Sequence, residues 1–375
     1  MRPIQMVDLK SQYAKIKDEV DLAIRDVLET AAFINGKAVT DFSRNLSAYL
    51  GIDHVIPCAN GTDALQIALM GLGLEPGDEV ITPSFTFIAT TEVVALLRLK
   101  PVFADVDPKT FCLDPASLEK QITKKTRAIV PVHLYGQSAP MKEIMDLAGK
   151  YGLKVVEDNA QAIGSDYTFP DGMTCKTGTI GTVGTTSFFP SKNLGAFGDG
   201  GALFTQDESL AESFKMIANH GQKKRYYHEI VGCNSRLDSI QAAVLNVKLP
   251  LLDKYISRRR TAADYYDRAF AGHPKIQTPY RAPYSKHVFH QYTLLLEGAD
   301  RNKLNNFLAS RNIPSMIYYP VPAHRQNMFA SFQSGLQQLE ITDWLTERVI
   351  SLPMHTELDG EQLGFICTSL LEFLN

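Results

Sequence analysis

The chain has 375 residues and a formal net charge of −3. That length calls for two domains, or one large domain with an appendage, and that charge gives no reason to expect a nucleic acid or an anionic membrane as partner. No uninterrupted apolar window of about 18 residues occurs, so no membrane span is expected. The start, Met1-Arg-Pro-Ile-Gln5, lacks the apolar stretch of a secretion signal, and five scattered cysteines without CxxC or Cys/His clustering indicate reduced thiols in a cytoplasmic protein, with no metal site.

In chain order, residues 11–50 carry a helical pattern, with Val20, Ile24, Val27 and Leu28 spaced for one apolar face. Strand-like apolar runs follow at 54–58, 79–83, 100–105, 127–133, 154–157 and 202–205. Helical patterns at 62–72, 89–97 and 141–151 lie between several of them. This alternation predicts an α/β layer whose central, mostly parallel sheet is covered by helices on both faces. A long helical pattern near 240–252 meets Pro250 and is followed by the basic run Arg258-Arg-Arg260. Beyond it come a helix at 301–311, an apolar-aromatic run at 315–319 and a final helix from Gly360. The expected division is a large α/β domain over 1–247 and a smaller C-terminal α+β domain over 248–375.

One stretch carries unusual chemistry: Phe188-Phe-Pro-Ser-Lys192, continuing through Asn193 and Leu194 to the glycine-rich Gly198-Asp-Gly-Gly201. Desolvation among such neighbours lowers the pKa of an ammonium and leaves an amine able to form a Schiff base. A lysine in a Gly-rich loop reads by itself as a surface lysine, so the companions of Lys192 decide. Asn60-Gly-Thr-Asp-Ala-Leu65 follows a strand-like run and opens a helix. Free N–H groups, Gly61 and the Thr62 hydroxyl would make a phosphate cradle there; the alternative is a plain N-cap by Asn60 or Thr62.

The run from Lys154 ends in Asp158, beyond the carboxyl end of a strand, where open α/β sheets bind ligands. Asp158 is a candidate partner for a protonated pyridine nitrogen, or else a helix cap, and Gln161 is in reach of a ring hydroxyl. Ser187 is a second phosphate candidate or an ordinary strand serine. Phe85 and Phe87 alternate on an extended segment, so one of them is a candidate to stack on a planar ring, with a core aromatic as the default for each. Together these are the contacts that pyridoxal phosphate (PLP) requires.

With these residues in hand, the chain resembles the DegT-type sugar aminotransferases, in the aspartate-aminotransferase (fold type I) group of PLP enzymes. The likeness runs from Val7-Asp-Leu-Lys10 and Phe33-Ile-Asn-Gly36 to Ser351-Leu-Pro-Met-His355. It implies Lys192 as the catalytic Schiff-base lysine, Asp158 as partner of the pyridine nitrogen and Gln161 as a contact to the ring hydroxyl. Gly61, Thr62 and Ser187 would hold the phosphate, and Phe87 would take the stacking position. In Gly232-Cys-Asn-Ser-Arg236, the resemblance implies that Asn234 reaches the cofactor phosphate of a neighbouring subunit, with Arg236 nearby facing substrate. A homodimer with shared sites follows.

The implied reaction transfers an amino group from glutamate to a nucleotide-linked keto-hexose, in support of polysaccharide or glycoconjugate synthesis. Lys192 would act as the base that moves the Cα proton. The run His220–His228 is similar to enzymes that aminate the 3-keto group of a UDP-N-acetyl-hexuronic acid, which favours C3 over C4. Those enzymes carry a His-Tyr pair where this chain has Tyr318-Tyr319, a departure at a substrate position. Arg236 and His324 are candidates for a substrate carboxylate or diphosphate, and equally for structural ion pairs. The alternatives are a 4-keto-6-deoxy sugar aminotransferase, another fold-type-I chemistry such as a lyase or desulfurase, and a non-catalytic sensor.

Overall fold

The computed structural model describes residues 1–332 and 338–375. The helical pattern at 11–50 resolves into three helices, α1 (Leu9–Ala14), α2 (Lys17–Thr30) and α3 (Lys37–Leu50). Ala31 ends α2 in the left-handed region at φ 52°. The strands and helices of the next segment are β1 (His54–Cys58), α4 (Gly61–Gly71), β2 (Glu79–Pro83), α5 (Ala89–Leu96), β3 (Lys100–Ala104), α6 (Pro115–Gln121), β4 (Thr126–Ile129), α7 (Met141–Tyr151) and β5 (Lys154–Asp158). A small hairpin, β6 (Asp166–Thr168) and β7 (Thr174–Lys176), precedes β8 (Val183–Ser187) and β9 (Gly201–Thr205).

These strands form a seven-stranded sheet in the order β1-β9-β8-β5-β4-β2-β3. It is parallel except for β9, which runs against β1 and β8. Strands buried on both faces read as continuous apolar runs, as in β9 (Gly-Ala-Leu-Phe-Thr), where every residue is buried. The run expected at 127–133 is cut to β4 because Pro131 has no N–H to donate to the ladder. Val132 still bridges to Asp158 beyond the strand end.

The chain then passes α8 (Glu208–Ala218), a second hairpin of β10 (Gln222–Lys224) and β11 (Tyr227–His228), α9 (Ser239–Lys248), a 3-10 turn at Leu249–Leu251 and α10 (Leu252–Phe270). The first turns of α10, with Leu252 and Ile256, pack with Phe42, Phe188 and Phe204 beside the large sheet. Its later turns, with Ala263, Tyr266 and Phe270, belong to a second core.

That second core sits under a three-stranded antiparallel sheet of β12 (Ile276–Gln277), β13 (Tyr292–Leu296) and β14 (Val349–Leu352), closed by α11 (Arg301–Ser310) and α13 (Gly360–Leu374), while α12 (Glu340–Arg348) packs Leu345 with Ile81, Ile129 and Val155 of the large sheet. Ile4, from the opposite end of the chain, packs into it. The aromatic run 315–319 adds no strand. It touches the sheet through the single bridge Met316–Ser351. Among the described residues, no helix is long and apolar enough to cross a membrane.

Candidate active site

A cavity of about 680 Å³ lies beyond the carboxyl ends of β1, β2, β5 and β8. Of the residues expected at a site, it gathers Gly61, Thr62, Phe87, Asp158, Gln161, Ser187, Lys192, Tyr318 and Tyr319. They come from five separate stretches of the chain, which the sheet topology brings to one edge.

The start of α4 forms one wall. Asn60 caps the helix through Oδ1, which accepts from Asp63 N at 2.8 Å, while its carbonyl accepts from Ala64 N. The N–H groups of Gly61 and Thr62, at the positive end of the helix, remain open to the cavity. Capping by Asn60 therefore leaves the first N–H groups of the helix unused. A Cβ at position 61 would fall 2.7 Å from Ser187 Cβ, so glycine is what lets the helix start approach the end of β8. The Ser187 hydroxyl accepts from Phe189 N and lines the same wall.

Opposite, Asp158 ends β5 with its carboxylate largely buried. Its Oδ2 accepts from Thr90 Oγ1 at 2.7 Å and its Oδ1 from Ala160 N at 3.1 Å. A turn, not a helix, follows it, so Asp158 is no helix cap. Among the described residues no cation comes within the 4.0 Å of an ion pair. A buried carboxylate left this way has room and need for a cationic N–H.

Lys192 stands between these walls. Burial pushes its ammonium down to about 8, against the opposing pull of Asp158. The amine therefore loses its proton far more readily than an exposed lysine does.

Exposure separates the two phenylalanines. Phe85 is fully buried among Phe111, Tyr135 and Tyr319, whereas Phe87 is 53% exposed and forms cavity wall, its ring 6.2 Å from that of Tyr319. Gln161 lines the cavity, but its amide is engaged: Oε1 accepts from Tyr135 N at 2.7 Å, and Nε2 donates to the Tyr319 hydroxyl at 3.0 Å. Tyr318 accepts at its carbonyl from the Tyr135 hydroxyl.

Three expected residues lie elsewhere. His324 is absent from the cavity lining and takes the structural alternative: its ring is buried, with Nδ1 2.7 Å from Ser84 Oγ and Nε2 3.3 Å from Asp343, so it joins two segments of the fold. Burial holds this imidazole below its ordinary pKa, although Asp343 pulls the other way. Asn234 and Arg236 do not line this chain's cavity either. Asn234 is exposed, just beyond the β10–β11 hairpin, whose neighbourhood displays Tyr226, Tyr227 and Val231.

Several cavity residues had no expectation attached. Thr90 and Thr86 form a hydroxyl chain to Asp158, the two oxygens 3.1 Å apart. Thr86 lines the cavity, whereas Thr90 stands behind it in the first turn of α5 (Ala-Thr-Thr-Glu), where nothing in the local sequence singles it out from Thr91. His290 lines the cavity with its Nδ1 buried and unpartnered among the described residues. Burial, with the nearby charges of Lys192 and Arg259, holds it neutral. Met6 and Val7 reach the cavity from the N-terminal segment, tied in by Met354 N donating to Met6 O at 3.2 Å.

A lysine whose proton is easily lost, a buried carboxylate without an ion-pair partner, an open helix start with a serine, and an exposed aromatic fit PLP group by group: carbonyl, pyridine nitrogen, phosphate and ring face. Comparison with known proteins agrees. The chain is 44% identical to a pleiotropic regulatory protein of Geobacillus stearothermophilus, covering 99% of this chain and 98% of that one. It is 44% identical to the UDP-2-acetamido-2-deoxy-3-oxo-D-glucuronate aminotransferase of Pseudomonas aeruginosa, covering 98% and 99%. Identity to the UDP-N-acetyl-3-dehydro-alpha-D-glucosamine 3-aminotransferase of Acidithiobacillus ferrooxidans is 43%, covering 99% and 98%. The solved structure of NtdA from Bacillus subtilis with bound cofactor PMP superimposes with a TM-score of 0.89 at 31% identity, covering 96% of this chain and 82% of that one. Residues 14–371 match the DegT/DnrJ/EryC1/StrS aminotransferase family, and the chain belongs to that family of PLP-dependent aminotransferases.

Proposed function

We propose that this aminotransferase places an amino group on C3 of a UDP-linked, N-acetylated 3-keto-hexose, with glutamate as donor. The observation that carries the transaminase reading is Lys192, an amine with a depressed pKa at the centre of the cavity facing Asp158. The C3 assignment draws on the two relatives whose names specify a 3-oxo or 3-dehydro sugar; they differ at C6, so the proposal is made at C3.

When bound, PLP supplies an electron-withdrawing ring and a carbonyl that carry the amino group from donor to acceptor. Asp158 would hold the ring nitrogen, its carboxylate oriented by the bonds from Thr90 and Ala160 N. The open N–H groups of Gly61 and Thr62, with the Ser187 hydroxyl, would take the phosphate at the helix start. Phe87 would cover one ring face and Gln161 would lie near the ring hydroxyl, its carboxamide aimed by Tyr135 N. Lys192, once its amine is free and uncharged, would take the proton from the donor's Cα and return it elsewhere, in the manner of a general base and then acid. Tyr318 and Tyr319 would face the sugar, with Met6, Val7 and Met316 excluding water.

The same reading divides the chain into a large cofactor-binding domain (1–247) and a small domain (248–375), places it in the cytoplasm, and pairs it as a homodimer. The exposed tyrosines before Asn234, and the absence of Asn234 and Arg236 from the lining of this chain's own cavity, support the dimer, in which both would serve a second copy's cavity. The test is an absorbance spectrum of the PLP-loaded protein before and after glutamate. Bleaching of the visible band, then its return on adding a UDP-linked 3-keto sugar but not a 4-keto one, is the expected outcome. Bleaching by no amino donor would favour a sensor, a reading that the name of the Geobacillus relative supports.

A further inference from the structure

Two buried cations have no part in the scheme above, Lys248 at the end of α9 and Arg259 in α10. They are 1% and 2% exposed. Among the described residues neither has a carboxylate within 4.0 Å. Burial pushes Lys248 down to about 8 and Arg259 to about 10.

Their protons go to backbone carbonyls of the segments that build the cavity floor. Lys248 Nζ donates to Gly195 O, three residues after Lys192. Arg259 Nη1 donates to the carbonyls of Phe289, His290 and Met354, the last two residues lining the cavity.

The turn that Lys248 holds is tight. Lys192 N donates to Phe189 O at 2.8 Å and Ala196 N to Phe188 O at 2.7 Å. A Cβ on Gly195 would fall 2.3 Å from Pro190 O. Beside it, the Lys248 ammonium lies 5.5 Å from the centre of the Phe197 ring. Gln241, two helical turns earlier on the same face of α9, accepts from Phe197 N at 2.8 Å. One helix face thus grips the loop of Lys192 at Gly195 and Phe197.

For stability alone this arrangement is a poor choice. A buried ammonium answered only by neutral carbonyls carries a desolvation cost that an apolar side chain of the same length avoids, and such replacements are often neutral or stabilising. A local choice that opposes stability marks a functional demand.

We infer that Lys248 is a positioning residue for Lys192: its ammonium fixes the Gly195 carbonyl, and so sets where the 188–196 turn presents the Lys192 amine. It touches neither substrate nor cofactor. The inference rests on the proposed role of Lys192.

The experiment compares wild type with Lys248→Met, which keeps volume but loses charge and donor, and Lys248→Gln, which keeps a donor without charge. Three quantities are read: the melting temperature, the rate of covalent capture of added PLP, and steady-state kinetics. Lys248→Met is expected to melt at or above wild type, yet to capture PLP about 10-fold more slowly and to lose about 10-fold in kcat, with the donor's KM within about twofold, because small misplacements of a reacting group are costly. Lys248→Gln should recover to within about threefold of wild type. Equal capture rates in all three proteins overturn the inference, as does a Met variant that no longer melts cooperatively, which would make Lys248 a folding residue. Lys192→Ala is the control. If wild type captures no PLP, or the alanine variant captures it as fast, the role of Lys192 fails and not the inference built on it.

Discussion

Asp158 and Ser84 both stand at the carboxyl ends of parallel strands, the first as the last residue of β5 and the second just beyond β2, and each anchors a polar cluster. At the Asp158 corner the partners are neutral: the Thr90 hydroxyl and the Ala160 N–H leave the carboxylate's charge unanswered and turned toward a cavity. At the Ser84 corner the groups answer one another. His324 takes Ser84 on one nitrogen and approaches Asp343 on the other, and Arg325 pairs with Asp343 in two bonds of 2.6 Å. The Arg325 guanidinium holds the Asp343 carboxyl below its usual range. Strand-end position does not distinguish a working corner from a structural one; unspent bonding capacity facing a void does.

The sharpest way to break this contrast is Lys192→Ala. Loss of the amine should reduce glutamate turnover by more than about a thousandfold while leaving the melting transition in place, as expected for a group that is both attachment point and general base. In wild type, PLP capture should rise with pH through about 8, because only the unprotonated amine reacts and Lys192 loses its proton there. A flat profile between pH 7 and 9 would place the reactive amine elsewhere.

Next in size is Asp158→Asn, which keeps shape and the Thr90 contact but removes the charge. A fall in kcat of about a hundredfold is expected, in the range of losing one preorganised electrostatic contact; stopped-flow bleaching of the visible band with glutamate measures it directly. Phe87→Ala should act on retention more than chemistry, with PLP released about five- to tenfold faster on dialysis, since a stacking contact contributes about 1 kcal/mol. Unchanged retention would return Phe87 to the status of an ordinary exposed aromatic. The smallest effect on activity should come from the other corner: His324→Ala keeps kcat and KM within about twofold but lowers unfolding free energy in urea by about 1–3 kcal/mol, the cost of orphaning buried partners. A hundredfold loss of kcat there would erase the distinction between the corners.

Much of the fold was legible in the chain. Runs such as 54–58, 79–83 and 141–151 became strands and a helix with the same bounds, because each carries its own period and its own stop signal. The direction of β9 was not legible, since an apolar run buried on both faces looks alike in either sense. Among site residues, Lys192, Asp158 and the start of α4 announce themselves by local chemistry. Phe85 and Phe87 do not differ locally; the fully buried position of one and the cavity-facing position of the other come from the packing of Phe111, Tyr135 and Tyr319.

By itself, then, the amino-acid sequence determined the period of each element, the open helix start at Gly61, the strand that ends in Asp158 and the lysine in its apolar loop, because propensity, capping and desolvation act over a few residues. The tertiary structure alone decided that Thr90 braces Asp158, that His324 faces Asp343 instead of the cavity, and that Lys248 reaches the loop of Lys192 from 56 positions away. Those contacts join segments with no local relation, and only the order of strands in the sheet and the helix laid against it bring them within hydrogen-bonding distance.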